Sequence, residues 1–531
     1  MKTYKILMLL LIGISITGCS DLEENPITQL SPDSYFGDLS LEQVEGFVAG
    51  SYAHMHHRNF MSREMTQALM FRSDMMAIGR TGQQARIDHD NFTVSADNGL
   101  ISGGSNVYWP KVYQIIRAAN DAVRSGTAIE GDQATINEVV ARARFARAFS
   151  YFHLVRQFGA IPYLDDTTPL SEATVAERTP VETVYENIIA DLQFAKDNLP
   201  NTQASRAIPA KSAASAYLAL VHLTRENWQL AYNEAKEIID NEGVYNLGLE
   251  PNFQDLFDAV KNDASLEPIF MLDFTGTSNG DQGRDYQVAF TGIRSDDQYG
   301  LNGGWSVEVP ALKVYTTWDA ADYRRLVTFD ATAVQDGNVV PYTNFTDADG
   351  RAVNRPHVAK YTRMASKLPT QDNNGRSSHS NYMMIRYAEV LMIGAEAANE
   401  IGQTGDAELW VNRVMARARA GGISWVNGAP ATIAASAVPT DFSGLSQADF
   451  RSRILEERRL EFAYEMKRWY DIARRKLGDV AFGSDGLESE VSTESGVGPG
   501  PKSWNSARDY LFPIPVDEIN RNPNLIQNPG Y

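Results

Sequence analysis

The sequence predicts a mainly α protein whose helical hairpins support long, loop-rich stretches. Three observations point there. Apolar residues recur at helical spacing along most of the chain, several connections between helical segments are short, and segments rich in glycine, asparagine and aspartate interrupt the pattern. With 531 residues and 43% apolar side chains, the chain has enough material for two or three domains' worth of core, on a prior of ~150 residues per domain.

The amino end comes first. Lys2 and Lys5 form a short basic start, Ile6 to Ile16 is an apolar run, and small residues lead into Cys19, the only cysteine in the chain. That is the layout of a bacterial export signal over residues 1–18, and the run is shorter than the ~20 apolar residues a spanning helix needs. Ile16-Thr17-Gly18-Cys19 further matches a lipobox, in which the cysteine is lipidated and becomes the first mature residue; the alternative is a plain secretory signal with an incidental cysteine. Cleavage before Cys19 leaves 513 residues. One acyl chain anchors marginally and several anchor stably, so lipid on Cys19 would attach the protein to a membrane unaided.

A lone cysteine excludes a disulfide framework, thiolate zinc sites and a cysteine nucleophile in the body of the protein. The formal charge is −19, and near −21 once the two signal lysines are gone. A chain so acidic is repelled by phosphate backbones and is a poor nucleic-acid binder. The run Asp21-Leu22-Glu23-Glu24 resembles short acidic signals that send lipoproteins to the exterior of the outer membrane.

Helical spacing then appears in order. Trp109, Tyr113, Ile116, Asn120 and Val123 share one stripe, with Pro110 in the first turn and Gly126 as an expected left-handed cap. Phe145, Phe149, Phe152 and Val155 share another, ending at Gly159. Further helices are expected over 181–198, 210–224, 228–241, 382–401, 406–420 and 449–476. No strict 34-residue repeat is present, so any tetratricopeptide character is degenerate. Residues 272–310, 331–381 and 421–448 lack helical periodicity, and loops of that length are functional or disordered. The end carries Pro513, Pro515, Pro523 and Pro529, which favours an extended, turning tail over a regular helix. Its apolar residues Leu511, Phe512, Ile514, Val516 and Ile519 should dock on the helical body.

In 453–475, RILEERRLEFAYEMKRWYDIARR, the residues Leu455, Phe462, Met466 and Trp469 lie on one stripe. Acids alternate with bases at spacings where Glu465 meets Arg468 and Lys467 meets Asp471, so the block is a locally neutralised structural helix. Together with RYAEVLMIGAEAANE (386–400), the terminal PIPVDEINRNPNLIQNPGY, and 143–163 and 208–223 in the first half, it resembles the SusD/RagB family of outer-membrane lipoproteins. The resemblance implies an amino-terminal helical region over 19–241 and a carboxyl-terminal RagB/SusD region over 242–531. It implies degenerate tetratricopeptide-like hairpins beneath an irregular ligand-facing part. It also implies capture of oligosaccharide or another nutrient for a partner TonB-dependent transporter, SusC-like, with no catalysis and no cofactor. A glycoside hydrolase of the same pathway and a helical scaffold for protein or peptide are the alternatives.

Other motifs are bland. GVGPGPKS (496–503) puts Pro501 where a phosphate loop needs a glycine N–H. His54, His56 and His57 lack the partners of a metal site. Asp347 to Gly350 reads as a turn. Sugar rings have apolar faces and polar rims, so the expected ligand contacts are Trp305 and Tyr299 on the glycine-rich loop, with Tyr286, Asn302 and Asp297 nearby in sequence. A second segment, 72–90, adds Asp74 and Arg80, with Arg86 beside them. Trp109 belongs to the core.

Overall fold

The computed structural model describes residues 39–80, 83–102, 107–274, 276, 283–297, 304–364, 378–488 and 502–531. Among them are eighteen α-helices, and every sheet is two-stranded, so the mainly α expectation holds.

Helix α1 (Leu41–Met55) opens on a reciprocal cap, Ser40 Oγ accepting from Gln43 N at 3.4 Å and Gln43 Oε1 accepting from Ser40 N at 2.8 Å. After α2 (Glu64–Phe71), strand β1 (Met76–Ile78) and α3 (Gln84–Asn91) come two long helices, α4 (Tyr108–Ala128) and α5 (Gln133–Phe158). The stripe on α4 is inside: Trp109, Ile116, Asn120 and Val123 are buried and Tyr113 packs against the core. Gly126, expected as a cap, instead lies within α4, where a Cβ would fall 2.3 Å from Val140 Cγ2. Glycine is needed there because α4 and α5 touch. Gly159 does end α5, at a φ of 73° that other residues rarely adopt.

The row continues through α6 (Val181–Asn198), α7 (Lys211–Thr224), α8 (Trp228–Asp240), and later α10 (Tyr387–Glu400) and α11 (Thr404–Arg419), each packed on the next. In its middle Gly394 likewise allows close packing, since a Cβ would stand 2.8 Å from the Trp410 ring and 3.2 Å from Ala235. Between α8 and α10 lie the irregular segments, with strand β2 (Pro268–Leu272), α9 (Gln287–Thr291), strand β3 (Glu308–Pro310), the hairpin β4 (Thr332–Gln335) and β5 (Asn338–Pro341), and strand β6 (Tyr382–Arg386). One apolar core runs from Val44 to Leu525 through both halves of the chain.

Two expected helices are corrected. Residues 382–386 form β6, paired antiparallel with β2, before α10 begins. Both faces of that strand are buried, and a short continuous apolar run does not separate strand from helix. The segment 449–476 is two helices, α12 (Gln447–Glu461) and α13 (Arg468–Arg474), broken where Tyr464 and Met466 take φ of 63° and 61°.

The break directs charges inward. Arg386 is 1% exposed and binds Glu267 at 2.5 Å, Glu461 at 2.7 Å and Glu465 at 2.9 Å. Glu461 also meets Arg324 at 3.4 Å and Arg417, while Lys360 binds Glu465 at 2.8 Å. The local pairs expected within 453–475 do not form. Arg468 instead holds Asp74 at 2.6 Å, Lys467 holds Glu389 at 2.8 Å, and Asp471 lies between Arg458 and Arg474. Lys467 and Arg468 are thus drawn to distant buried acids, whereas Asp471 keeps partners from its own block, Arg474 one turn on and Arg458 across the break.

The tail docks as expected, with Phe512 and Ile514 at 0% exposure and the Arg72 guanidinium 4.2 Å over the Phe512 ring. Arg72 Nη1 donates to the Asp509 and Leu511 carbonyls at 2.9 and 3.0 Å. The tail is not wholly extended: α14 (Val516–Arg521) starts directly after Pro515, a position where a helix tolerates proline.

Candidate ligand-binding site

The two segments singled out for ligand contact lie far apart in sequence, and the fold joins them. Strands β1 and β3 pair antiparallel, with Met76 opposite Pro310 and Ile78 opposite Glu308, and Gly79 N donates to Val307 O at 2.9 Å. Gly79 is required, because a Cβ there would lie 2.3 Å from Ser306 O. Arg80 therefore follows directly on the strand beside the one that Trp305 leads into.

Trp305 is fixed from beneath. Its N–H donates to Ala289 O at 2.7 Å, Ser306 N to Gly292 O at 3.0 Å, and Val307 N to Phe290 O at 2.8 Å, so the strand leader is laced to α9. Gly292 and Gly304 cross at the base of this segment. A Cβ on Gly304 would fall 2.3 Å from Ile293 O, and one on Gly292 would fall 3.1 Å from Gly304 Cα. The rings form a row: Tyr286 stacks on Phe290 at 5.7 Å, and Phe290 meets Trp305 edge-on at 5.8 Å. Tyr286 and Phe290 are buried, whereas Trp305 is half-buried at the outer end. The Arg63 and Arg86 guanidinium groups lie 5.2 Å over Tyr286 and 5.1 Å over Phe290.

Charge around this ledge is mostly committed. Arg80 pairs with Asp349 through two hydrogen bonds of 3.1 and 3.0 Å, and both side chains remain partly exposed. Asp349 belongs to the expected turn, where Gly350 N donates to Asp347 O at 3.0 Å. Asp297 is exposed; its N–H donates to Val334 O at 2.7 Å, and its carboxylate accepts from Asp336 N at 3.3 Å, which ties it to the β4–β5 hairpin. Below the ledge Glu308 is fully buried, and neither of its oxygens has a hydrogen-bond partner. Burial pushes its pKa up to about 8 against the pull of the Arg86 guanidinium, which favours the protonated form.

Two expected contacts are enclosed. Asp74 is 2% exposed, with both oxygens held by Arg468 at 2.7 and 2.6 Å, and it borders a separate cavity of about 710 Å³ beside Trp318 and Arg453. Tyr286 is 4% exposed and props the ledge from within. Burial raises its pKa, but hydrogen bonds from Arg284 and Arg58 outweigh that and leave it lowered. Tyr299, Asn302 and Cys19 lie outside the described residues. Sequence reasoning missed Phe290 as the support of Trp305, and missed Glu308. Gly79, a glycine just after a strand, was a signal of close backbone approach.

The carboxyl-terminal part, residues 241–531, matches the family model described as SusD family. The chain belongs to the SusD family. Residues 32–223 of this SusD-family protein also match a model described as "Starch-binding associating with outer membrane". It is 46% identical to SusD-like protein P2 of Formosa agariphila, over 100% of both chains. It is 26% identical to a SusD-like protein of Bacteroides ovatus, over 82% of each. Among solved structures, its fold is similar to that of a "Laminarin binding SusD-like protein", at 22% identity and TM-score 0.72, covering 92% of this chain and 99% of that one. It is also similar to surface glycan-binding protein A of Bacteroides thetaiotaomicron in complex with laminarihexaose, at 19% identity and TM-score 0.72, covering 92% and 100%. No described helix is long and apolar enough to cross a membrane.

Proposed function

We propose that the protein is a surface-exposed outer-membrane lipoprotein, anchored through Cys19, that captures oligosaccharide or polysaccharide and delivers it to a partner TonB-dependent, SusC-like transporter. The observation that carries the binding reading is Trp305: a large ring, half-exposed, laced to α9 and backed by Phe290, in a family with glycan-binding members. An aromatic face held rigidly costs little ordering on binding and suits the apolar face of a sugar ring. Arg80, Asp349 and Asp297 supply polar groups at the rim, and Tyr299 and Asn302, close to Trp305 in sequence, are further proposed contacts; Tyr286 acts through Phe290 as a support. Binding without catalysis is favoured because Glu308 is fully buried beneath the ledge, out of reach of a glycosidic oxygen, and Asp349 is tied to Arg80, so the two do not form a ligand-facing carboxyl pair.

Calorimetric titration of Trp305→Ala beside a thermal melt tests the site. The ring should contribute roughly 2 kcal/mol of binding, the threshold of a hot spot, or ~30-fold in Kd. Affinity unchanged in the folded variant would refute the site. Shortening of the glycan during the titration would favour the hydrolase instead.

A further inference from the structure

A cavity of about 400 Å³ opens where the ends of α5, α6, α7 and α13 meet the carboxyl tail. Its lining contains Arg156, Arg225, Arg474, Lys476 and Arg508 and neither Asp nor Glu, in a chain where acids outnumber bases 67 to 48. Three of these cations are answered from outside the lining. Arg225 pairs with Glu182, Arg474 with Glu396 at 2.6 Å and Asp471 at 2.8 Å, and Arg508 with Asp509 at 2.7 Å.

Arg156 and Lys476 have no such answer: neither meets a carboxylate within ion-pair distance among the described residues. The Arg156 guanidinium lies 3.8 Å from the Phe152 ring and 3.7 Å from Tyr470, with Nε donating to Phe152 O at 3.1 Å. The Lys476 ammonium sits 4.1 Å from the Tyr510 ring. Packing against the tail lowers the Lys476 pKa, since lost water is not offset by a neighbouring carboxylate. An acidic protein thus keeps two uncompensated cations facing one concavity walled by tyrosines.

We propose that this cavity is a second glycan-binding site, selective for a saccharide bearing carboxylate or sulfate groups, with Arg156 and Lys476 meeting the anion. It rests on the reading of the protein as a glycan binder. A saccharide suits the site better than an acidic peptide because the partly exposed rings of Tyr510 and, in the neighbouring groove, Trp504 offer flat apolar surfaces. Ser506 and Arg508 also border a neighbouring groove of about 920 Å³ beside Trp504 and Tyr531, into which a longer chain of sugar units could extend.

The test is calorimetry on the full chain at low and high salt. The probes are oligogalacturonate, sulfated carrageenan oligosaccharides, the neutral galactan counterpart, neutral laminari-oligosaccharides and poly-glutamate. The anionic saccharides should bind more tightly than neutral galactan at low salt and lose that advantage at high salt. Lys476→Gln, at an exposed position where the fold should survive, should weaken them roughly tenfold, as for loss of a charged hydrogen bond. Arg156→Gln should do the same where its melt is retained. Lys236→Gln, an exposed lysine paired with Asp240 at 2.6 Å on α8, should change nothing. Equal binding of charged and neutral galactans, or Lys476→Gln at wild-type affinity, would overturn the proposal, and tighter binding of poly-glutamate would overturn the saccharide assignment. Neutral laminari-oligosaccharide binding without anionic preference removes only this site, whereas indifference to every glycan removes the binding reading too.

Discussion

Replacing Arg386 by methionine tests how far the buried charges hold the fold together. Arg386 donates to Glu267, Glu461 and Glu465 and, through Nη2, to the Glu461 carbonyl at 2.9 Å. Methionine fills part of the volume but leaves three carboxylates short of one cation. Removing one partner from a buried ionic cluster costs about 3–5 kcal/mol, since the remaining charges stay desolvated. Unfolding entropy is about 2.1 cal/mol/K per residue, so ~500 residues unfolding cooperatively give ~1 kcal/mol/K and a fall in Tm of about 3–5 °C. The pH dependence follows from the carboxylates. Burial alone would raise the Glu461 pKa, but Arg417, Arg386 and Arg324 overcome it and hold it well below the usual range. A depressed carboxylate stabilises the fold fully above its unfolded pKa of ~4.3 and progressively less as pH falls toward the folded value. The gap between wild type and Arg386→Met should therefore be widest at pH 7 and narrow toward pH 3. Differential scanning calorimetry at both pH values measures it. A Tm within 1 °C of wild type at pH 7, or a gap that widens on acidification, would refute the reasoning.

Truncation before Tyr510 removes Phe512 and Ile514 from the core, each contributing roughly 1.5–3 kcal/mol, and strips Arg72 of the Leu511 carbonyl and the Tyr531 hydroxyl as acceptors; an unchanged melting curve would contradict this. Gly304→Ala should weaken glycan binding and lower Tm, because its Cβ would meet Ile293 O at 2.3 Å; wild-type values in titration and melt would show that the crossing yields. Cys19→Ala should abolish membrane retention while leaving the melt intact, and protein still pelleting with outer membranes in a strain without the transporter would argue against a lipid anchor.

The helices were legible because a 3.6-residue period is written locally: the expected 181–198 is α6 to the residue, and α7, α8 and α11 differ from expectation by one or two positions at their ends. What failed needed distant partners. Nothing within 449–476 announces that Glu465 belongs to Arg386, 79 residues away, so the break at Tyr464 and Met466 was invisible. The site was half-legible for the same reason. The glycine-rich context marked Trp305 and a polar segment marked Arg80, but pairing between the three-residue strands β1 and β3 spans about half the chain. Asp74 looked available only because Arg468, 394 residues on, was out of view.

The cluster around Arg386 also sets the order in which the chain can become compact. Its members stand at Glu267, Arg324, Lys360, Arg386, Arg417, Glu461 and Glu465. A growing or translocating chain that has delivered only these first five, with the Asp322 that pairs with Arg324 at 2.7 Å, holds four cations against two carboxylates at a centre that excludes water. Such an intermediate cannot close without stranding charge. We infer that the second half stays open and protease-sensitive until Glu461 and Glu465 arrive, and then closes in one step. Fragments ending before residue 461 should be digested rapidly, whereas those ending just past 488 should gain protection; a protected shorter fragment would contradict it. Late closure would suit any protein that must be threaded through a membrane before it folds.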